Sequence, residues 1–311
     1  MTGMVLDLGE EAREFGHQAL RAFEAAGGDQ LVQQAEEDPA NPGLRESLVG
    51  PILAGLGAWE LGPRTDTDEL EAAAALCRSA GYWAVPYPVA ERLAAPTDLD
   101  VDGLVVVSDT RASATIAGLE TRWAAVTLDG VRAHVTGHAA TGPAFVTELQ
   151  LSPIDENGAR DVALALTLPC WTLLGMLDRA IELTVAHVRL RKQFGQTLSA
   201  FQGVQFQLTD AEVERSGLDI LAKYTLWSIG TGSADALDDA LALRMSAIEA
   251  AEIVFRVCHQ LHGAVGFCDE TTLSWLSRYS QPLRRLPFGL SATRDLLTRR
   301  VGGAGLRGLF G

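Results

Sequence analysis

Hydrophobic positions recur at intervals of three and four over two stretches of the chain, with a stretch of alternation between them. Leu174, Leu177, Ile181, Val185 and Val188 mark one apolar helical face. Val204, Leu208 and Ala211 mark a second, and Ile248, Ala251, Phe255 and Cys258 a third. From Pro169 onward the pattern predicts long helices, broken at Gly230 to Ser233, that pack as antiparallel neighbours in a bundle. Residues 1–96 also predict helices, over 7–26, 44–58 and 67–80, with Pro39, Pro42, Pro51, Pro63, Pro86 and Pro88 in the connections. The polar segment 27–42 reads as a loop with a helical turn in it, and Gly81 to Pro88 as an aromatic and Pro-rich loop over a core.

Between 97 and 168 the period becomes that of strands. Leu104 to Val107 is a short apolar run, and Arg122 to Leu128 leads through Asp129-Gly130 into alternating Val131, Ala133 and Val135. Asp-Gly supplies the positive φ angles of a tight type I′ hairpin. Phe145 to Leu151 and Val162 to Leu168 are two further strand candidates, and Asp155 to Gly158 looks like a turn. The expected fold class is α+β: an N-terminal helical domain over 1–96, a reduced β domain over 97–168 and a C-terminal helical bundle over 169–311.

Charge adds an asymmetry to this picture. The formal net charge is −15, which disfavours a general binder of nucleic acid or of anionic membranes. Residues 1–100 hold 18 acidic against 6 basic side chains. Residues 271–311 hold Arg278, Arg284, Arg285, Arg294, Arg299, Arg300 and Arg307 against Asp295 alone, which predicts a local anion-attracting surface turned toward a partner. Cys77, Cys170, Cys258 and Cys268 show no metal-ligand spacing and read as reduced thiols of a cytoplasmic protein; no metal site is expected. No basic-then-apolar leader opens the sequence. The uncharged run Val162 to Leu177 contains Pro169 and falls short of the ~20 residues of a spanning helix, so it reads as buried.

Two segments carry candidate chemistry. The first is Arg191-Lys192-Gln193-Phe194-Gly195 followed by Ser199-Ala200-Phe201-Gln202; the second is Gln260-Leu261-His262-Gly263-Ala264-Val265-Gly266. Each alone reads as helix punctuation, with Gly195 following a helix end and Ser199 opening the next helix. Their order and spacing together resemble the acyl-CoA dehydrogenase family, with its Arg-x-x-Phe-Gly, Phe-Gln and Gln-x-x-Gly-Gly-x-Gly motifs, Ala264 replacing the second glycine. That resemblance implies a helical domain, a β domain and a four-helix bundle. It also implies FAD, with its adenosine and pyrophosphate half met by Arg191, Gln193, Phe194, Phe201, Gln202, Gln260, Leu261, His262, Gly263 and Ala264 across a subunit interface. A planar guanidinium suits a pyrophosphate, and glycine permits close backbone approach.

The family's catalytic carboxylate is not matched. One family position falls in Leu286-Pro287-Phe288-Gly289-Leu290 and the other at Ala165, and neither holds an acid. The segments that grip the isoalloxazine in the family have no counterpart between Pro96 and Pro169. The resemblance therefore points to the non-catalytic β subunit of an α2β2 acyl-CoA dehydrogenase of the actinobacterial steroid-CoA type. Such a subunit has no catalytic residue of its own, is inactive alone and shares FAD with a catalytic partner that also carries most of the acyl-CoA site. Two alternatives accompany this: a self-sufficient flavoenzyme with monooxygenase chemistry or a base displaced to Glu182, Asp210, Glu212, Glu214, Glu249, Glu252 or Glu270, and a flavin-free scaffold.

Overall fold

The computed structural model of the protein describes residues 7–304 apart from 39, 40, 42, 117, 140 and 141. Five helices come first: α1 (Glu10–Ala25), α2 (Gln30–Glu37), α3 (Leu44–Gly55), α4 (Thr67–Tyr82) and α5 (Val89–Leu93). The α4 start is fixed by Asp66, whose carboxylate accepts the free amides of Asp68 and Glu69. The loop expected at 27–42 contains α2. Leu31, Val32 and Ala35 form its one buried face, too short a stripe to stand out from its polar neighbours.

The sheet follows, with β1 (Gly103–Val106), β2 (Ser113–Ala114), β3 (Trp123–Val126), β4 (Val131–His138) and β5 (Thr147–Asn157) in the order β1-β3-β4-β5-β2. Among the described residues only β1 and β3 pair in parallel. The turn between β3 and β4 is not the type I′ expected. Gly130 has φ 82°, Asp129 does not share it, and the Thr127 amide donates to Val131 across a longer loop. β5 runs on through Asp155, Glu156 and Asn157, so the turn expected there is confined to Gly158.

The strand expected at 162–168 does not exist. Those residues are early turns of α6 (Ala159–Leu190), which continues through Pro169. Both faces of this segment are buried, so the apolar run has no period that separates helix from strand. By length and composition α6 could cross a membrane, yet 83% of its most apolar window is buried inside the protein. The hairpin β6 (Lys192–Gln193) and β7 (Gln196–Thr197) leads to α7 (Gln202–Gly230), α8 (Ala236–His262), α9 (Thr272–Arg285) and α10 (Leu290–Ala304).

One hydrophobic core runs from Phe23 in α1 through Trp171 in α6 to Leu276 in α9. Asp161 is the polar tie among the three regions. Its buried carboxylate accepts from Arg64, ahead of α4, at 2.8 Å and from Arg132 of β4 at 2.7 Å, and Arg132 reaches on to Asp98. Paired and hydrogen-bonded charges of this kind tolerate burial that a lone ion would not.

Candidate functional site

The two motifs meet at one end of the bundle. α6 stops at Leu190, and its last turn carries His187 and Arg189. Arg191 is extended, and Phe194 (φ 52°) with Gly195 (φ 81°) forms the two-residue loop between β6 and β7. Both central residues have positive φ, the backbone of a type I′ turn. Gly195 is thus a hairpin residue and not the residue after a helix end. Phe194 is 91% exposed and meets the ring of Phe201 edge-on at 6.3 Å. α7 starts after Phe201; Ser199 lies in a preceding 3-10 turn and does not open the helix.

α8 arrives at the same end. Its last residue, His262, stacks on His187 of α6 with ring centroids 4.4 Å apart, and His259 stacks on Phe267 at 4.2 Å. Burial holds all three imidazoles below their ordinary pKa range, the neighbouring His262 adding to this for His187 and His259. Stacked rings are therefore neutral at neutral pH. Gly263 has φ 65° and ψ −147°, a backbone state open essentially to glycine, and a Cβ there would meet nothing within 4 Å. The chain turns away from α8 into empty space.

Arg191, Gln193, Phe194, Gln202, Gln260, Gly263 and Ala264 are exposed around this turn, with Phe201 and His262 half-buried. Leu261 is buried in the bundle core, so only its backbone can face a ligand. Arg189, Arg191 and Lys192 form no ion pair among the described residues. Three free cations, free amide side chains and an open glycine turn make a donor set suited to a pyrophosphate, and the residues fit that half of FAD. They also lie at the carbonyl ends of two helices, where positive charge is favoured for its own sake.

A second region lies deeper, where α5, β2, α6 and α9 converge. Ala165 and Pro169 of α6, with Leu286 and Pro287, bound a cavity of about 50 Å³. Pro169 cannot donate to the Ala165 carbonyl, which is left without its helical partner. Arg244 closes the far side. It is 3% exposed, and its guanidinium donates to the carbonyls of Leu283, Leu286 and Phe288 at 3.1, 2.5 and 2.8 Å. Burial lowers its pKa, and it clamps the turn that follows α9.

Glu91 of α5 borders this cavity and a second one of about 40 Å³. Desolvation of its carboxyl pushes the pKa up to about 7, and its one side-chain partner among the described residues is Thr115, at 3.4 Å. No acid in the C-terminal half occupies such a place. Glu182 bonds Tyr82 and Arg179, Glu212 pairs with Arg215, and Glu249 pairs with Arg294. Asp210, Glu252 and Glu270 are exposed and Glu214 half-buried on helix and turn surfaces. The sequence did carry a signal for Glu91, a single acid among Val89, Ala90 and Leu93 directly after Pro88.

The cationic C-terminal segment is less available than its composition implies. Arg278 pairs with Asp269, Arg294 with Glu249 and Arg300 with Asp238. Those three charges are spent within the chain, while Arg307 lies outside the described residues.

The architecture places the chain in a known class. Over 96% of its length it superposes on 99% of a chain of the Tcur3481-Tcur3483 steroid ACAD with a TM-score of 0.76 at 19% identity. Over 98% it superposes on the whole of a chain from the ChsE4-ChsE5 complex of Mycobacterium tuberculosis with a TM-score of 0.68 at 16% identity. The fold is that of the acyl-CoA dehydrogenases. Residues 167–289 match the family model for the acyl-CoA dehydrogenase C-terminal domain. Among curated proteins, acyl-CoA dehydrogenase FadE28 of Mycobacterium tuberculosis is 34% identical over 128 residues, 40% of this chain and 37% of that protein. The chain spans about a quarter to a half of the length of the curated relatives it matches.

Proposed function

We propose that this chain is the non-catalytic subunit of an FAD-dependent acyl-CoA dehydrogenase. Its bundle end completes the adenosine and pyrophosphate half of a flavin whose ring, and most of whose acyl-CoA site, belong to a catalytic partner in an α2β2 assembly. When bound, FAD supplies the hydride acceptor for α,β-dehydrogenation. In this chain Arg191 and Lys192 would hold the pyrophosphate, Gln193 and Gln260 would orient it, Phe194 and Phe201 would flank the adenosine, and Gly263 would leave the space for it. The likeness to the steroid ACAD and to the ChsE4-ChsE5 complex supports a heteromeric assembly and a steroid side-chain thioester as substrate.

The observation that carries this reading is the small size of the cavity beside Ala165. Its 50 Å³ admits a few water molecules, whereas ligand pockets run to several hundred Å³. The test is co-expression with a full-length acyl-CoA dehydrogenase partner, followed by mass and flavin measurement. One FAD per pair of unlike subunits is expected, with oxidation of a steroid side-chain CoA by the complex alone. Stoichiometric FAD and acyl-CoA oxidation by the isolated chain would sink the proposal.

One observation favours a second reading, a self-sufficient enzyme with a displaced base. Glu91 borders the same cavity as Ala165 and holds a pKa matched to proton abstraction near neutral pH. On that reading the isolated chain turns over and Glu91→Gln abolishes that turnover; on the subunit reading the isolated chain is inactive and the variant leaves turnover of the complex intact.

A further inference from the structure

Three arginines are buried among the described residues, and two of them follow one rule. Arg45, 3% exposed, pairs with Glu36 at 2.7 Å, and Arg132, 4% exposed, pairs with Asp161 at 2.7 Å. Arg244 of α8 lies as deep, at 3% exposed, and pairs with no acid among the described residues. The ionisable neighbour that acts on it is the Cys170 thiol, which burial pushes up to about 12 and so keeps uncharged.

Arg244 is therefore a full positive charge met within the chain by dipoles alone. Its terminal nitrogens donate to the carbonyls of Leu283, Leu286 and Phe288, and its Nε is buried without an acceptor among the described residues. A buried ion without a counter-charge is costly, and a buried donor without an acceptor adds to that cost.

The charge borders a space where one ligand can relieve both costs. Arg244 lines the cavity of about 50 Å³ beside Ala165, and so does Ser113 of β2. Ser113 is 7% exposed, and its hydroxyl has no hydrogen-bond partner among the described residues. A guanidinium and a hydroxyl at one cavity can donate to a single shared acceptor. Glu91, on the same wall, is not that acceptor. Its side-chain partner is Thr115, and burial raises its pKa to about 7, whereas a guanidinium at hand would hold a carboxylate low. Much of the remaining wall is apolar, through Val105, Leu166 and Leu283. One cation calls for one negative charge, and 50 Å³ has room for chloride, formate or acetate but not for a phosphate ester or an acyl chain.

We propose that the cavity between Arg244 and Ser113 binds a small monovalent anion, a halide or a short carboxylate, as the counter-ion of Arg244. The anion accepts from the guanidinium and the Ser113 hydroxyl, and so ties α8, β2 and the turn after α9 at one buried point. The site uses neither flavin nor a second subunit, so its test stands apart from the function proposed above.

The test is the thermal midpoint of the full chain at constant ionic strength, with chloride or formate replacing gluconate, an anion too large for the cavity. The midpoint should rise and saturate, gaining roughly 3 °C by about 200 mM of the small anion, as a ligand of the folded state requires. Ala165→Leu, which fills the cavity and leaves the carbonyl partners of Arg244 in place, should abolish the rise. Ser113→Ala should keep the rise but move its half-saturating concentration up about 5-fold, the scale of one lost hydrogen bond. A response to only one of the two anions selects the ion and supports the site. A midpoint that does not respond to either overturns the proposal, and the cavity then holds water only, with the carbonyls after α9 sufficing for Arg244. An undiminished rise in Ala165→Leu also overturns it, because the anion then binds elsewhere. Should Ala165→Leu fail to fold, an unchanged half-saturation in Ser113→Ala overturns the proposal by itself.

Discussion

The end of the bundle around Arg191 and the cavity around Ala165 answer the same question in opposite ways. At the bundle end, Gly263 turns into open space and Arg191, Gln193 and Gln260 keep their donors free. At the cavity, the terminal amines of Arg244 have three carbonyl partners and only its Nε has none among the described residues, while Leu286, Pro287 and Pro169 border a space of only about 50 Å³. Free donors persist without cost where water solvates them, whereas buried ones must be satisfied by the chain itself. The contrast teaches that one chain can keep a solvated cluster of free donors at its surface while it packs its interior as core.

Removing Arg191 is the largest expected perturbation of this contrast. Arg191→Ala in the assembled complex should weaken FAD binding roughly 30-fold or more, the scale of a lost charge-assisted contact to phosphate, with Arg191→Lys in between. Flavin absorbance after dilution and gel filtration reads this directly. Because Arg191 is exposed, the thermal midpoint of the flavin-free complex should not move. Unchanged flavin content would instead make the bundle end mere helix punctuation and favour the scaffold reading.

The interior half breaks differently. Glu91 carries a folded pKa of about 7 against an ordinary value near 4.5, because burial disfavours its charged form. Between these values the folded protein holds a proton that the unfolded chain has released, so stability is full below about pH 4.5 and falls as pH rises through 7. The loss is on the order of 2–3 kcal/mol, and Glu91→Gln should remove it. Urea unfolding at pH 5 and pH 8 checks this: the wild type should be less stable at pH 8, and the variant level across the range. A flat wild-type profile would mean that the carboxyl is solvated and the cavity more open than it stands here.

The sequence made the bundle end legible and left the cavity obscure, for a physical reason. Glycine, Arg and Gln at a helix terminus act through their own backbone and charge, so a local motif reports them. The stacking of His187 on His262 brings residues 75 positions apart together and needed the fold. Glu91 and Arg244 become a site only when α5, α6, α8 and the turn after α9 are assembled. The helical bundle was legible from the spacing of Leu174, Leu177, Ile181 and Val185, while 162–168 was not, since a segment buried on both faces loses its period. The charge of the C-terminal segment misled because composition counts Arg294 and Arg300 without seeing the acids of α8 that neutralise them.

The smallest effect tests whether Gly263 serves the ligand or only the helix end. At φ 65° and ψ −147°, any side chain strains the backbone, so Gly263→Ala should cost about 1–2 kcal/mol of stability wherever the flavin sits. The added methyl meets nothing within 4 Å in the chain, so packing supplies no further penalty. An additional loss of FAD affinity in the complex therefore has only one source, a ligand that approaches the turn more closely than a methyl allows. Comparing thermal midpoints with flavin affinities across Gly263→Ala and Gly195→Ala separates the two. Both substitutions strain a positive-φ backbone, and a Cβ at either position meets nothing within 4 Å. If Gly263→Ala reduces flavin affinity no more than Gly195→Ala does, the open turn at the end of α8 is a helix stop and the pyrophosphate rests on the side chains around Arg191.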